Sequence, residues 1–271
     1  MHEGFAELPM YVAPARVQQA SERWLNLIAE RLGWQRQVWE GTSLADLWLS
    51  PRLLLAQTCG YPLVTQLRGQ VHVVGKPVYR LPHGQGGEHC SLLVGRGSDT
   101  RRWLHEFFDS HGLVNSRESN SGMNLLRHSL MPWQRDGRFF DSVSITGGHR
   151  DSLLALREHK GDLAAIDSVT WDYLLRDISA EVAGLRIVSR SVSSPCLPYV
   201  TALPDQADAI RQAMNDVLLQ VPELADELAI EAVEPATQDD YEVLLAYERQ
   251  ARDAEFDLYQ ETARGPLAAP V

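Results

Sequence analysis

Cysteine is scarce: Cys59, Cys90 and Cys196 are the three in 271 residues, far apart and without a CxxC pair. That excludes a disulfide-built scaffold and a zinc ribbon, and leaves one bridge open. No stretch approaches the roughly 18 consecutive apolar residues of a membrane span, so no membrane insertion is expected. The opening residues, MHEGFAELPMYVAPARVQQASERW, lack a basic segment running into about 7–15 apolar residues, so no secretory leader is visible. As written, the chain is expected in the cytoplasm, or it is a mature form whose leader was left out. Positive charge is short as well, with 25 Lys and Arg against 36 Asp and Glu for a net charge of -11. Phosphate backbones and anionic membrane surfaces need Lys/Arg stripes, so nucleic acid and membrane are not expected partners. The deficit is local: Thr201 to Val271 holds 16 acidic and 4 basic residues, while the first 200 residues are nearly neutral. A small anion is still admissible, because a few aimed backbone N–H groups bind one without net positive charge.

Several catalytic signatures are missing too. There is no GxxxxGK[ST], no GxGxxG opening a helix, no HExxH and no GxSxG elbow. No nucleophile has an evident base, so no catalytic residue and no cofactor is assigned. His83, His89 and Cys90 are metal-like in type but have no fourth ligand, and no metal site is assigned.

What is present is alternation of short apolar runs and amphipathic stretches. Strands are expected at Leu8–Val12, Leu53–Gln57, Val71–Val74, Ser91–Val94, Gly112–Asn115, Asp141–Ile145, Asp162–Ile166 and Leu185–Val188. Helices are expected at Arg16–Leu32, Asp99–Phe108, Gly122–Leu130, Arg150–Glu158 and Val169–Leu175, then at Ile210–Val221 and Tyr241–Phe256 in the acidic part. The Gly/Pro/His-rich segment Leu81–Gly87 looks like a linker. This order reads as α/β with parallel pairing.

Ligands of open α/β sheets bind at the carboxyl ends of strands, so the turns that follow strands are the places to search. The segment from Ser119 through Asn120 and Ser121 to Gly122 puts hydroxyls, an amide and free N–H groups before a helical pattern. Either it meets an anion, or Ser119 or Ser121 is merely an N-cap. Gly147-Gly148-His149 breaks a strand before a helix; His149 is either a ligand contact in the first turn or a structural turn residue, and Arg150 beside it a surface charge. Asp167 closes an apolar run. It is either the N-cap of the next helix or an acceptor that selects a ligand carrying a proton or amine, with His149 available to pair with it.

Five segments stand in a recognisable order: Leu55–Leu63, Ser119–Asn124, Gly147–His149, Ala165–Trp171 and Leu197–Thr201. Together they resemble the phosphate/phosphite/phosphonate-binding (PhnD-like) family of ABC-transporter substrate-binding proteins, over about Leu8 to Met214. The resemblance implies a two-lobed type II periplasmic-binding-protein fold, each lobe a mixed, mostly parallel sheet flanked by helices, joined by two hinge crossovers. Lobe 1 would comprise residues 1–85 and 192–271 and lobe 2 residues 86–191, with hinges near Leu81–Cys90 and Ser191–Pro198. Carried over by position, the ligand-binding residues would be Ser119, Asn120, Ser121, Gly122, Gly148, His149 and Asp167, faced by Cys59, Gly60 and Tyr61 from lobe 1. One departure is His89-Cys90-Ser91, which stands where the family often has a tyrosine.

The function implied is non-enzymatic capture of a small oxyanion of phosphonate, phosphite or phosphate type, by a monomer, with an ABC-transporter permease as partner. Two alternatives remain open: a cytoplasmic sensor reusing the fold, and an enzyme in which Asp167 and His149 act as an acid/base pair on a small anionic substrate.

Overall fold

The computed structural model describes residues 2–41 and 43–259. The chain opens with β1 (Glu3–Glu7), α1 (Ala15–Leu32), β2 (Gln35–Gln37), α2 (Leu44–Trp48), β3 (Leu53–Gln57), α3 (Gly60–Val64) and β4 (His72–Tyr79). It then crosses through β5 (Glu88–His89) into β6 (Ser91–Arg96), β7 (His111–Val114), α4 (Leu125–Leu130), β8 (Ser142–Ile145), α5 (His149–Arg157), β9 (Leu163–Asp167), α6 (Ser168–Asp177) and β10 (Leu185–Arg190). It returns through β11 (Ser194–Pro195) to β12 (Tyr199–Thr201), α7 (Ala207–Gln220), α8 (Pro222–Leu228), β13 (Ile230–Glu234) and α9 (Val243–Asp253). Among the described residues no helix is long and apolar enough to cross a membrane.

The strands form two lobes. One sheet runs β13-β4-β12-β3-β1-β2, the other β10-β6-β9-β7-β8, and β5 pairs antiparallel with β11 where the two crossovers meet. Pairing is evenly mixed rather than mostly parallel. β1 lies parallel to β2 and β3, and β7 parallel to β8 and β9, while β12, β13, β6 and β10 pair antiparallel. The crossovers dictate this. Ser91, the first residue of β6, pairs with Asp167, the last of β9, and Tyr199, the first of β12, pairs with Gln57, the last of β3. A strand that enters a sheet where its neighbour ends must run against it.

Local chemistry explains most elements. α1 buries Val17, Ala20, Trp24, Leu25 and Ile28 on one face and stops at Gly33, whose left-handed backbone (φ 64°) donates to the carbonyls of Ala29 and Glu30. Trp24 is fully buried, and its indole N–H donates to the Met214 carbonyl at 3.3 Å, tying α1 to α7. β3 is buried at all five positions, as expected of a central strand.

Two expected elements are corrected. The first strand is Glu3–Glu7, not Leu8–Val12, because its buried positions are Gly4 and Ala6, too small to register as an apolar pattern; Leu8–Val12 is the loop that follows. The helix expected over Asp99–Phe108 shrinks to a single 3-10 turn at Leu104–Phe107. There Asp99 accepts from the Arg101 backbone N–H at 2.9 Å, and Glu106 from those of Arg102 and Trp103 at 2.5 and 2.7 Å, so carboxylates take the donors a helix would need.

At the C-terminal end, α9 packs on α3 of the first lobe and α4 of the second. The chain then lays Phe256 and Leu258 into the second lobe's core against Phe107, Leu126 and Phe139. Residues 260–271 of the acidic tail lie outside the described residues.

Candidate functional site

The turns after β3, β7, β8 and β9 all open onto one cavity of about 1020 Å³ between the two sheets. Cys59, Ser119, Ser121, Gly148, His149 and Asp167 line it. Geometry therefore brings together six of the ten residues singled out from the sequence.

Ser119 sits at an N-cap, where its Oγ accepts from the Gly122 N–H at 2.9 Å; the cap occupies an acceptor position of the hydroxyl and leaves its O–H to donate. The chain then makes a π-helical turn, Asn120–Asn124, that runs into α4. That turn brings Ser121 Oγ to 3.1 Å from Nε2 of His149, which also lies 3.4 Å from Nδ2 of Asn115. Gly122 is needed for the close approach: a Cβ there would fall 1.8 Å from Asn115 Oδ1. On the other side, Gly147 takes φ 99°, and Gly148 heads α5 with no side chain capping its first N–H groups. Burial pushes the His149 imidazole below its ordinary value against the opposing pull of Asp167, so it is neutral near pH 7.

Asp167 is fully engaged. Its Oδ1 lies 2.6 Å from Nδ1 of His89, with both side chains almost wholly buried, and its Oδ2 accepts from the N–H and hydroxyl of Thr170 at 2.9 and 3.1 Å. Burial pushes this carboxyl up, but the His89 hydrogen bond and charge, with His149 and the Thr170 N–H, outweigh it and hold the group below its ordinary value. The partner of Asp167 is thus His89 and not His149. His83 docks likewise on Asp172 at 2.6 Å, so the histidines of the first crossover bind carboxylates at the end of β9 and within α6; no metal-holding cluster occurs among the described residues.

Four of the singled-out residues do not line the cavity. Gly60 faces the C-terminal part, where an added Cβ would meet Tyr241 and Leu244 at 2.8 and 2.9 Å. Tyr61 packs half-buried, beside Glu248 of α9. Asn120 is buried, donating from Nδ2 to Ser194 Oγ at 3.1 Å and from its backbone N–H to Cys59 Sγ at 3.4 Å, so it ties the second lobe to a crossover and to the first lobe. Gly122 serves by making room.

The cavity also holds residues not foreseen from the sequence. Tyr11 enters from the loop after β1, Asn115 from the end of β7, and Thr170 from α6. The Tyr11 hydroxyl, Asn115 Oδ1 and His149 Nδ1 are buried polar atoms without a hydrogen-bond partner, and all three belong to cavity-lining residues. Buried polar atoms are normally satisfied, so such a concentration marks a floor short of partners.

A family model described as the ABC transporter, phosphonate, periplasmic substrate-binding protein matches residues 11–241. Among solved structures, a binding-protein component of an ABC phosphonate transporter from Pseudomonas aeruginosa superposes with a TM-score of 0.76 at 13% identity, covering 94% of this chain and 88% of that one. PhnD1 from Prochlorococcus marinus, in complex with methylphosphonate, gives 0.71 at 13% identity over 93% and 98% of the two chains. A Xanthomonas citri protein bound to ATP gives 0.63 at 15% identity over 94% and 99%. At these identities the likeness is one of fold. No curated protein matches the chain by sequence.

Proposed function

The chain belongs to the family of phosphonate-type periplasmic substrate-binding proteins of ABC transporters, and from that footing we propose that it captures a small phosphorus oxyanion between its lobes. The family is one of binding components and not of enzymes, which leaves the acid/base alternative for Asp167 and His149 without support. The observation that carries the proposal is the convergence of Ser121, His149 and Asn115 with the uncapped start of α5 on one cavity floor. Hydroxyl, amide and backbone N–H groups are donors matched to an oxyanion, and they need no net positive charge.

In this reading the Ser119 and Ser121 hydroxyls and the Gly148 and His149 N–H groups hold the anion, Asn115 and Tyr11 complete the floor, and Cys59 faces it from the first lobe. Asp167, held by His89 and Thr170, shapes the floor and disfavours a second full negative charge beside it. We take residues 1–85 and 192–253 as one lobe and 86–191 as the other, with residues 254–259 docked on the second, the two closing about the β5–β11 pair, with delivery to an ABC-transporter permease on the outer side of the membrane.

Calorimetry with phosphate, phosphite and methylphosphonate tests the proposal. Binding of at least one is expected, and Ser121→Ala and His149→Ala are each expected to weaken it by about 1–3 kcal/mol. No heat with any of the three, in folded and ligand-free protein, rejects it.

A further inference from the structure

The cavity is larger than the anion it is proposed to hold. Methylphosphonate has five heavy atoms and fills on the order of 150 Å³ at a water's share of about 30 Å³ each, against a cavity of about 1020 Å³. That volume is at the upper end for drug-sized ligands.

The remaining space has a definite chemistry. From the first lobe, Met10 and Val12 of the loop after β1, and Leu44 and Trp48 of α2, line one wall. Facing them, α5 presents Leu154 one helical turn beyond Arg150. Val12, Leu44 and Leu154 are 52, 40 and 44% exposed, so three of the protein's exposed large apolar side chains converge on a single concavity from both lobes. Scattered exposed leucines need no explanation, whereas a facing pair of apolar surfaces within a cleft does.

Charge at the rim narrows the occupant further. Arg150 is tied to Glu181 at 2.8 Å, and Arg157 donates to the Ala180 carbonyl at 2.9 Å. Glu118, Asp151 and Glu181 line the same cavity, and of its two arginines only Arg157 is without a carboxylate partner, so a second anionic group would meet more carboxylate than free guanidinium there.

We propose that the ligand is a phosphonate or phosphate monoester whose single substituent is an uncharged apolar group of about six carbons or more, seated between Leu44 of α2 and Leu154 of α5. The assignment rests on the oxyanion reading above and extends it to the substrate class.

Calorimetry with methylphosphonate, hexylphosphonate and phenylphosphonate tests it, using the wild type and the variants Leu44→Asp and Leu154→Asp. Both substitutions fall on exposed positions, and circular dichroism verifies their folding. Hexylphosphonate or phenylphosphonate is expected to bind at least tenfold more tightly than methylphosphonate, and each variant is expected to bring that ratio close to one. If methylphosphonate binds and the larger ligands bind no more tightly, the oxyanion reading stands and this inference falls. It falls equally if the preference exists but neither variant changes it. If none of the three binds, the oxyanion reading itself is overturned.

Discussion

Replacing His89 by alanine gives the sharpest test of how the cavity floor is held. His89 and Asp167 meet at 2.6 Å with side-chain exposures of 1 and 3%. Removing the imidazole leaves a buried carboxylate with only Thr170 as partner. Breaking a buried pair from one side costs about 3–5 kcal/mol, because the charge left behind has lost its compensation. At about 2–4 °C per kcal/mol for a chain of this size, Tm should fall by roughly 6–20 °C. Asp167→Asn in the wild-type background should cost less, since an amide still accepts from Nδ1. The double variant should be more stable than His89→Ala, with a coupling of about 1.5–3 kcal/mol. The pH dependence has a definite sign. In the wild type the carboxyl is held below its ordinary value of 3.8, so its contribution is present above that value and is lost as the pH falls through the folded value. In His89→Ala burial is opposed only by His149 and Thr170, so the carboxyl rises relative to the wild type, acidification protonates it sooner and the gap between the two proteins should narrow. Urea denaturation, followed by the fluorescence of the seven tryptophans and by circular dichroism, measures all of this and shows whether the lobes unfold together. A loss below about 1 kcal/mol at pH 7, or additivity of the two single variants, would refute the reasoning.

Gly122→Ala should reduce oxyanion affinity more than stability, because the clash at 1.8 Å is with the end of the Asn115 side chain, which can swing away and leave His149; comparing calorimetry with urea unfolding checks this. Phe256→Ala should cost about 3–5 kcal/mol, as a buried aromatic lost from the second lobe's core, and hydrogen exchange should increase in α4 rather than in α1. The depressed imidazole of His149 opposes folding where it would otherwise be charged. Stability should therefore decline as the pH drops below the free value of 6.5, and His149→Gln should flatten that slope.

Short-range features were legible in the sequence, and features that depend on distant partners were not. β3 announced itself through five consecutive buried residues, and the turns at Ser119–Gly122 and Gly147–His149 through small polar residues and glycines at the ends of strands. β1 was missed because its inner face is Gly4 and Ala6, while the apolar loop after it, which carries Tyr11 into the cavity, imitates a strand. Gly60 and Tyr61 stand beside Cys59 in sequence but turn toward α9 and the 3-10 turn Gln238–Tyr241 before it, some 180 residues later. The pairing of His89 with Asp167 spans 78 positions, and nothing local to either residue signals it.

The passage of the C-terminal segment between the lobes has a mechanical consequence. Tyr241 and Tyr247 donate their hydroxyls to the carbonyls of Cys196 and Ser193 in the second crossover, at 2.7 and 3.2 Å, before Phe256 enters the far core. Three lengths of chain therefore span the waist side by side, so the two lobes remain tied together when any one of them is cut. A proteolytic nick between residues 81 and 88 should leave both halves held in one native particle, separating only when denatured.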